Sequence, residues 1–341
     1  MELLFSYLKS VYYASRELQT DTSLSKIIDI TMEVEPSKKD ILAMRRPEPL
    51  GRLIEKVESL IEVDFPQQSL KETVTKVAEG ALVAVVGNHQ SHCDIVSLGM
   101  VTYIITEAIN KGVATGQYSR TDHFPGFIVP MAASVATGDQ SRLITAFYNQ
   151  MTDWLKSHHI RPVLVVREKD VKRYGLNPLA KFSSLKQALN QTNTTTGLGI
   201  FPEGSVEGGK QIPDSNQRYG IIEVPNSTLL SEQVIRATTE GKKMIIVPIG
   251  ISGTYTLFDP DTMHPTLTAF KTLMHNQLWP GNPLHLATVS VGEPFLSDDL
   301  PIPELDGSKA SPEIHRLVNY QILRRVSQLL PPEERGIFRD V

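Results

Sequence analysis

Short apolar runs alternate with longer helical runs over most of this chain, from about residue 76 onward. Each apolar run has the length of one buried strand, and each helical run has apolar residues at the spacing of an amphipathic helix. The strand-like runs cover 81–87, 162–167, 198–201, 244–249 and 286–291, and the helical runs cover 95–110, 139–158, 179–191, 228–240 and 312–330. This alternation predicts an α/β fold in which helices flank a central mixed sheet.

The first 75 residues have a different pattern. They carry helical periodicity without strand signals, with Pro36, Pro47 and Pro49 as breakers and a helix-like run from Arg52 to Ile61. We therefore expect a small helical N-terminal domain at 1–75, followed by the α/β domain at 76–341. The apolar spacing near the start suits a helix packed in a core or one that lies on a membrane surface.

Composition narrows the class of protein. The 341 residues are 40% hydrophobic, which suffices for one large α/β domain and a smaller appendage. The 34 basic and 38 acidic residues give a net charge of −4, so the chain lacks the strongly basic balance expected of a nucleic-acid binder. A single cysteine, Cys93, cannot form an intrachain disulfide and favours a reducing compartment. We expect neither a membrane-spanning helix nor a secretory signal, because the apolar runs are too short and interrupted.

A histidine and an aspartate, His89 and Asp94, stand five positions apart directly after the first strand-like run. On a regular helix such residues point about 140° apart, so they can meet only if the chain between them forms a turn. The next helical run begins at Ile95, which would place Asp94 at a helix N-terminus, where a carboxylate is favoured. An aspartate bonded to one imidazole nitrogen leaves the other nitrogen able to accept a proton. His89 is therefore a candidate general base.

Two later apolar runs also end in segments with candidate site residues. The run at 198–201 ends in Phe201-Pro202-Glu203-Gly204-Ser205, and a carboxylate in such a loop commonly faces a site. The run from Met244 to Gly253 contains Pro248, which predicts an edge strand or a bulge.

Together these segments resemble four sequence blocks of the glycerolipid acyltransferases, which include glycerol-3-phosphate and 1-acylglycerol-3-phosphate acyltransferases. The first block, Asn-His-x-Ser-x-x-Asp, is met by Asn88, His89, Ser91 and Asp94. The second, an apolar strand ending in Arg, fits 162–167; the third, Phe-Pro-Glu-Gly with Thr or Ser, fits 201–205; and the fourth, a Val-Pro strand, fits 247–250. A Val-Gly-Glu-Pro segment at 291–294 is similar to the closing strand of the family, and the helical N-terminal layout resembles the plastid enzymes.

The resemblance implies transfer of a fatty acyl chain from acyl-CoA or an acyl carrier protein to the hydroxyl of glycerol 3-phosphate or 1-acylglycerol 3-phosphate, in phospholipid synthesis. It implies no cofactor, no metal and no acyl-enzyme. His89 and Asp94 would be catalytic, whereas Asn88 and Ser91 would support the turn or bind the acceptor. The resemblance assigns the following residues to acceptor binding: Arg167, Glu203, Gly204 and Ser205.

Two features depart from the family pattern. Family members usually carry an Arg directly after the Ser or Thr of the third block, where this chain has Val206. Lys210 and Arg218 are the candidates to replace this basic residue. The interval between Asp94 and Arg167 is also long, which predicts an insertion within 111–160.

Other interpretations of these residues remain open. Glu203 would instead cap a loop, Arg167 would pair with an acidic neighbour on the surface, and Cys93 fits a packing position better than a nucleophile. The neighbouring His92 and Cys93 make a poor zinc signature with His89. The same dyad would also serve a lipid hydrolase or a transacylase, and the missing Arg is the one sequence feature that favours a lipid-binding module without turnover.

A basic segment indicates possible partners and a location. Seven basic and two acidic residues lie between 161 and 186. This surplus predicts an anionic partner, namely an acyl carrier protein, the phosphates of coenzyme A or anionic lipid headgroups, unless it is an ordinary solvated surface. We expect a soluble compartment, cytoplasmic or like a plastid stroma, with peripheral membrane contact as a further possibility.

Overall fold

A computed structural model describes the chain at residues 54–116, 123–132, 151–165, 190, 196–203, 220–221, 223–225, 228–258, 266–303 and 310–340. Within these residues eight strands form one sheet: β1 (Ile61–Asp64), β2 (Leu82–Gly87), β3 (Phe127–Ala132), β4 (Ile160–Val165), β5 (Gly197–Ile200), β6 (Met244–Ser252), β7 (Ala287–Val291) and β8 (Phe295–Leu296). The longer helices are α1 (Gln67–Ala78), α2 (Asp94–Ala114), α3 (Leu229–Thr239), α4 (Leu267–Leu278) and α5 (Pro312–Ser327). Residues 54–58 and 151–157 are also helical.

The sheet is mixed, with strand order β1-β7-β6-β2-β5-β3-β4, and β8 pairs with β6. Strands β6, β2, β5, β3 and β4 run parallel, whereas β7 and β8 pair with β6 in antiparallel fashion. The predicted α/β fold with a central mixed sheet is thereby confirmed. Because β6, β2 and β5 are parallel neighbours, their carboxyl ends meet at one side of the sheet, which we call the carboxyl edge.

Helices cover both faces of the central strand β2, all six residues of which are buried. Val83 and Val85 share a core with side chains of α1 and α2. Leu82, Ala84 and Val86, which alternate with them, share the opposite core with α3 and α5. A continuous apolar run is what a parallel strand covered on both faces requires.

The boundary predicted at residue 75 is wrong in one respect, because sheet and core elements occur before it. Strand β1 pairs in parallel with β7, from Ile61 opposite Ala287 to Asp64 opposite Ser290. Helix α1 buries Val74 in the core. The α/β unit therefore includes residues well before 76, and four residues of strand were too short to show a pattern. Residues 1–53 lie outside the described ranges.

Of the two positions predicted for Pro248, an edge strand or a bulge, the edge strand is wrong, since β6 is an interior strand. Its first part pairs with β8 at Ile245 and Ile246, and its last part pairs with β7 from Ile249 onward. Pro248 lies where one antiparallel partner gives way to the other. A residue without an N–H is tolerated there because the ladder is interrupted on that side.

The insertion within 111–160 stays a prediction, and part of this stretch belongs to the sheet and its helices. Helix α2 extends to Ala114, β3 is an integral strand between β5 and β4, and helical residues 151–157 precede β4. Residues 117–122 and 133–150 of this stretch lie outside the described ranges. No helix among the described residues has both the length and the apolar character needed to cross a bilayer.

Candidate active site

Three loops at the carboxyl edge bring the candidate site residues together. They follow β2 (88–93), β5 (201–203) and β6 (253–256). The sheet register explains why they meet, because Val86 lies opposite Ile200 and Gly87 lies opposite Ile249. The residues just beyond these pairs consequently project from the same edge.

His89 and Asp94 are in hydrogen-bond contact, as the turn predicted. The Nδ1 atom of His89 lies 3.1 Å from Oδ2 of Asp94. The imidazole also stacks on the Phe201 ring, with centroids 4.4 Å apart and planes at 11°. The His89 side chain is 13% exposed and that of Asp94 is fully buried. With Nδ1–H assigned as the donor to the carboxylate, Nε2 is left as the proton acceptor.

The Asp94 carboxylate receives hydrogen bonds from five donors. Oδ2 accepts from Nδ1 of His89, from the backbone N–H of Gln90 and from that of Ser91 at 2.7 Å. Oδ1 accepts from the Ser91 hydroxyl at 3.3 Å and from the Thr254 hydroxyl. Asp94 is also the first residue of α2, where the helix dipole favours negative charge. The carboxylate is therefore fixed in position independently of His89.

Thr254 is a site residue that the sequence did not reveal. It lies in a single helical turn directly after β6 and is separated from Asp94 by 160 positions. Gly253 makes the turn possible, since it has φ of 79° and a Cβ built there would lie 2.4 Å from the carbonyl oxygen of Leu286. The Gly at the end of the predicted 244–253 segment was the only available signal.

Asn88 and Ser91 support the loop. The Asn88 carboxamide donates to the Ile251 carbonyl at 2.8 Å and accepts from the Ile251 N–H at 2.7 Å, so it continues the β2–β6 pairing by one step. Ser91 accepts from the backbone N–H of Cys93 at 3.1 Å in addition to its contact with Asp94. Both residues are buried. Of the two roles predicted for them, the geometry favours support of the turn.

Glu203 braces the loop of the candidate base. Its Oε2 accepts from the backbone N–H of His89 at 2.8 Å. This contact ties the loop after β5 to the loop after β2. The alternative of a loop-capping carboxylate thus has direct structural support, while acceptor binding by Glu203 stays a prediction.

A second buried carboxylate, Glu334, lies behind the site and was also missed by the sequence. It accepts from Nε2 of Gln90 at 2.9 Å, from the Ser252 hydroxyl at 2.9 Å and from the Tyr255 hydroxyl at 3.3 Å. Burial raises the pKa of Glu334, and its three donors act in the opposite direction. The residue connects the chain next to His89 with the chain on both sides of Thr254.

The two titratable neighbours of the dyad do not have the properties of nucleophiles or bases near neutral pH. Burial raises the pKa of the Cys93 thiol well above its usual range, and the charge of Asp94 acts in the same direction. Because a thiolate is the reactive form, Cys93 is a packing residue of the core. Burial lowers the pKa of His92 to about 4, with His89 adding to the effect.

Several predicted site residues lie outside the described ranges: Arg167, Gly204, Ser205, Lys210 and Arg218. Strand β4 ends at Val165, two residues before Arg167. Within the residues that the structure covers, no group of three or more His, Cys, Asp or Glu side chains has the arrangement of a metal site.

Comparison with known proteins adds no family assignment: no protein-family model matches the chain, and no curated protein matches it.

Proposed function

We propose that this chain is an O-acyltransferase of the glycerolipid type. It moves a fatty acyl chain from acyl-CoA or an acyl carrier protein to the hydroxyl of glycerol 3-phosphate or a 1-acylglycerol 3-phosphate. The proposal combines the order of the four sequence blocks with the arrangement of His89 and Asp94.

One observation carries the chemistry: the Asp94 carboxylate is held by four donors other than His89, while the imidazole is only partly exposed. A base that is already held in its productive rotamer does not pay the conformational entropy of orientation during the reaction. The Phe201 ring is stacked on the imidazole and restricts its rotation. With Nδ1 bonded to Asp94, Nε2 is the ring nitrogen left to accept the proton of an alcohol.

The reaction follows from this geometry. Nε2 of His89 takes the proton of the acceptor hydroxyl as the oxygen attacks the thioester carbonyl. The tetrahedral intermediate collapses, the C–S bond breaks, and the imidazolium returns the proton to the leaving thiolate. Asp94 stabilises the imidazolium throughout, and no covalent acyl-enzyme forms. The family resemblance assigns binding of the acceptor phosphate to Arg167, because a planar guanidinium suits a phosphate.

His89→Ala, incubated with labelled acyl thioester and glycerol 3-phosphate, tests the proposal. We expect turnover to fall by about 10²- to 10⁴-fold, which is the usual contribution of a general base. The matched control is His92→Asn, which changes the other histidine of the same loop and should retain most of the activity near neutral pH. Equal activity of folded His89→Ala and the parent protein would contradict the mechanism.

The products separate the alternative functions. Labelled acyl-glycerol phosphate supports a transferase, free fatty acid supports a hydrolase, and transfer from a lipid donor without thioester supports a transacylase. Saturable lipid binding without any turnover would indicate the lipid-binding module.

A further inference from the structure

Helix α4 carries an apolar stripe that faces solvent. The stripe consists of Leu267, Phe270, Met274 and Leu278, which lie within about 80° of one another at roughly 100° per residue. Leu267 is 67% exposed, Leu278 is 62% exposed, and Trp279, just beyond the helix, is 57% exposed. The buried side of the helix, with Ala269 and Thr272, lies opposite. Exposed apolar side chains that gather on one surface usually mark a binding surface.

The stripe belongs to the same end of the molecule as His89. Strand β6 ends at the carboxyl edge, and its antiparallel neighbour β7 starts there, since Ser252 lies opposite Thr288. The segment between the two strands, which contains α4, therefore leaves and returns at this edge. The first turn of this segment contains Thr254, which donates to Asp94. Thr266 caps α4, and its hydroxyl donates to the carbonyl of Thr256 in the same turn.

The residues beyond the helix are held in a fixed arrangement. The Asn276 side chain donates to the Leu284 carbonyl at 2.9 Å and accepts from its N–H at 2.7 Å. The Trp279 indole stacks on His275, with ring centroids 5.0 Å apart. Leu284 is itself exposed, so this turn adds a further apolar group beyond the end of the helix.

The charge of the segment fits an anionic lipid surface. Between residues 262 and 292 the sequence has no Asp or Glu, while it has Lys271 and the histidines 264, 275 and 285. A protein partner that contacted only the apolar stripe would not require residues 262–292 to lack acidic side chains, whereas an anionic lipid surface would repel such side chains. Trp next to Leu, Phe and Met is the composition that suits the boundary between headgroups and acyl chains.

We propose that the α4 stripe, with Trp279 and Leu284, docks the protein on the surface of an anionic lipid bilayer. The role of this surface rests on the proposed function, since it would hold the carboxyl edge next to membrane acceptors or products. The binding itself requires no turnover. The stripe enters the headgroup region and the outer acyl chains, and Lys271 lies at the level of the lipid phosphates.

Co-sedimentation with vesicles tests the surface in the full chain. We compare vesicles of phosphatidylcholine alone with vesicles of equal parts phosphatidylcholine and phosphatidylglycerol. Replacement of Leu267, Met274 and Leu278 by Gln should lower partition into the mixed vesicles at least about tenfold, because burial of one such side chain is worth about tenfold or more. Gln retains good helix propensity, so α4 should remain folded. The matched control replaces Leu317 and Ile337, two partly exposed apolar residues on other elements, by Gln and should bind as the parent does.

Tryptophan fluorescence identifies the contact directly. The chain has two tryptophans, and Trp154 is buried whereas Trp279 is exposed. Iodide should quench Trp279 in the free protein, and anionic vesicles should protect it and shift its emission to the blue. Protection in the free protein would mean that the chain or a second copy already covers the stripe. That result would overturn the proposal. Unchanged partition of the triple variant into vesicles would also overturn it. So would a parent protein that self-associates through the stripe, in a way that the triple variant does not, and binds no vesicles.

Failure of this inference is distinguishable from failure of the proposed function. His89→Ala should bind vesicles like the parent protein, and the triple Gln variant should retain transfer to dissolved glycerol 3-phosphate. Vesicle binding without acyl transfer by the parent would leave the surface in place and remove the reaction. Acyl transfer by the parent without vesicle binding would support the reaction and refute the docking surface.

Discussion

At the scale of single residues, the candidate base depends on the hydrogen-bonding capacity of one carboxylate. Asp94 accepts only, so every group around it must donate, including Nδ1 of His89. An amide in its place would present an N–H toward some of these donors. The imidazole would then favour the other tautomer, with the proton on Nε2.

Asp94→Asn should therefore lower kcat by about 10²- to 10⁴-fold with a smaller effect on KM. Steady-state kinetics with acyl thioester measures the change. Ser91→Ala, which removes one of the five donors, should have a much smaller effect. The double variant of His89→Ala and Asp94→Asn should be no slower than His89→Ala alone, because the two residues act as a unit. Additive losses would contradict the dyad.

His92 gives the site loop a pH-dependent stability. With a pKa lowered to about 4 from the ordinary 6.5, His92 binds a proton more readily in the unfolded chain than in the folded one. Stability should consequently fall as pH decreases from about 6.5 to about 4, by an amount on the order of 3 kcal/mol at most.

Urea unfolding at several pH values measures this loss, and His92→Asn should remove it. His285→Asn, which changes an exposed histidine, should leave the pH profile of the parent unchanged. If His92→Asn and the parent lose stability in parallel across this range, another group is responsible.

At the scale of elements, the turn after β6 positions the hydroxyl that holds Asp94 from outside its own loop. Gly253 at the start of this turn has a positive φ and the Leu286 carbonyl oxygen directly next to it. Gly241, in the turn before β6, also has a positive φ of 65° but has open space around it. Both glycines therefore have a positive φ, but only at Gly253 would a Cβ also clash with a neighbouring atom.

Gly253→Ala should destabilise the protein more than Gly241→Ala, and it alone should lower acyl transfer. Both variants incur the roughly 1 kcal/mol strain of a left-handed conformation. Only the first must also shift the backbone near Thr254. Thermal unfolding and kcat report the two effects separately, and equal effects of both variants would show that the turn is not coupled to the site.

The sequence predicted those elements whose pattern is set by burial. Strands β2, β5, β6 and β7 and helices α2, α3 and α5 lie within a few residues of their predicted bounds, because a core on each face imposes continuous apolar runs or helical periodicity. Strand β1 is four residues long and β3 contains Pro130, so neither has a strand pattern. Helix α4 was missed because much of its apolar surface faces away from the core.

The candidate site divides in the same way. His89 and Asp94 were predictable, because they are only five positions apart and a local turn brings them together. Thr254 and Glu334 contact the same loop from 160 and 244 positions away, and no pattern within a single sequence encodes such contacts.

At the scale of the whole molecule, Glu334 connects the end of the described chain with two loops of the site. It follows α5, which packs on the face of the sheet opposite to α1 and α2. The carboxylate reaches Gln90 and both flanks of Thr254 from this side. Its charge state therefore affects the packing of elements that are distant in sequence.

Because the pKa of Glu334 is raised, the folded state keeps its proton to higher pH than the unfolded chain does. Stability should fall as pH rises above the ordinary glutamic acid range and through the raised value, and Glu334→Gln should remove that loss. Chemical unfolding across this range measures it. Glu62→Gln, a change at an exposed glutamate of β1, should keep the slope of the parent; a slope that persists in Glu334→Gln would refute the assignment.

The hydrogen bond between Thr254 and Asp94 also has a kinetic consequence. The two candidate catalytic residues are neighbours along the chain, but the carboxylate receives one of its donors from a turn 160 positions further on. Contacts between such remote segments close late, since each must overcome the entropy of a long loop. After dilution from denaturant, turnover should return with the slowest refolding phase, together with the pairing of β2 with β6, even where helix α2 has already re-formed.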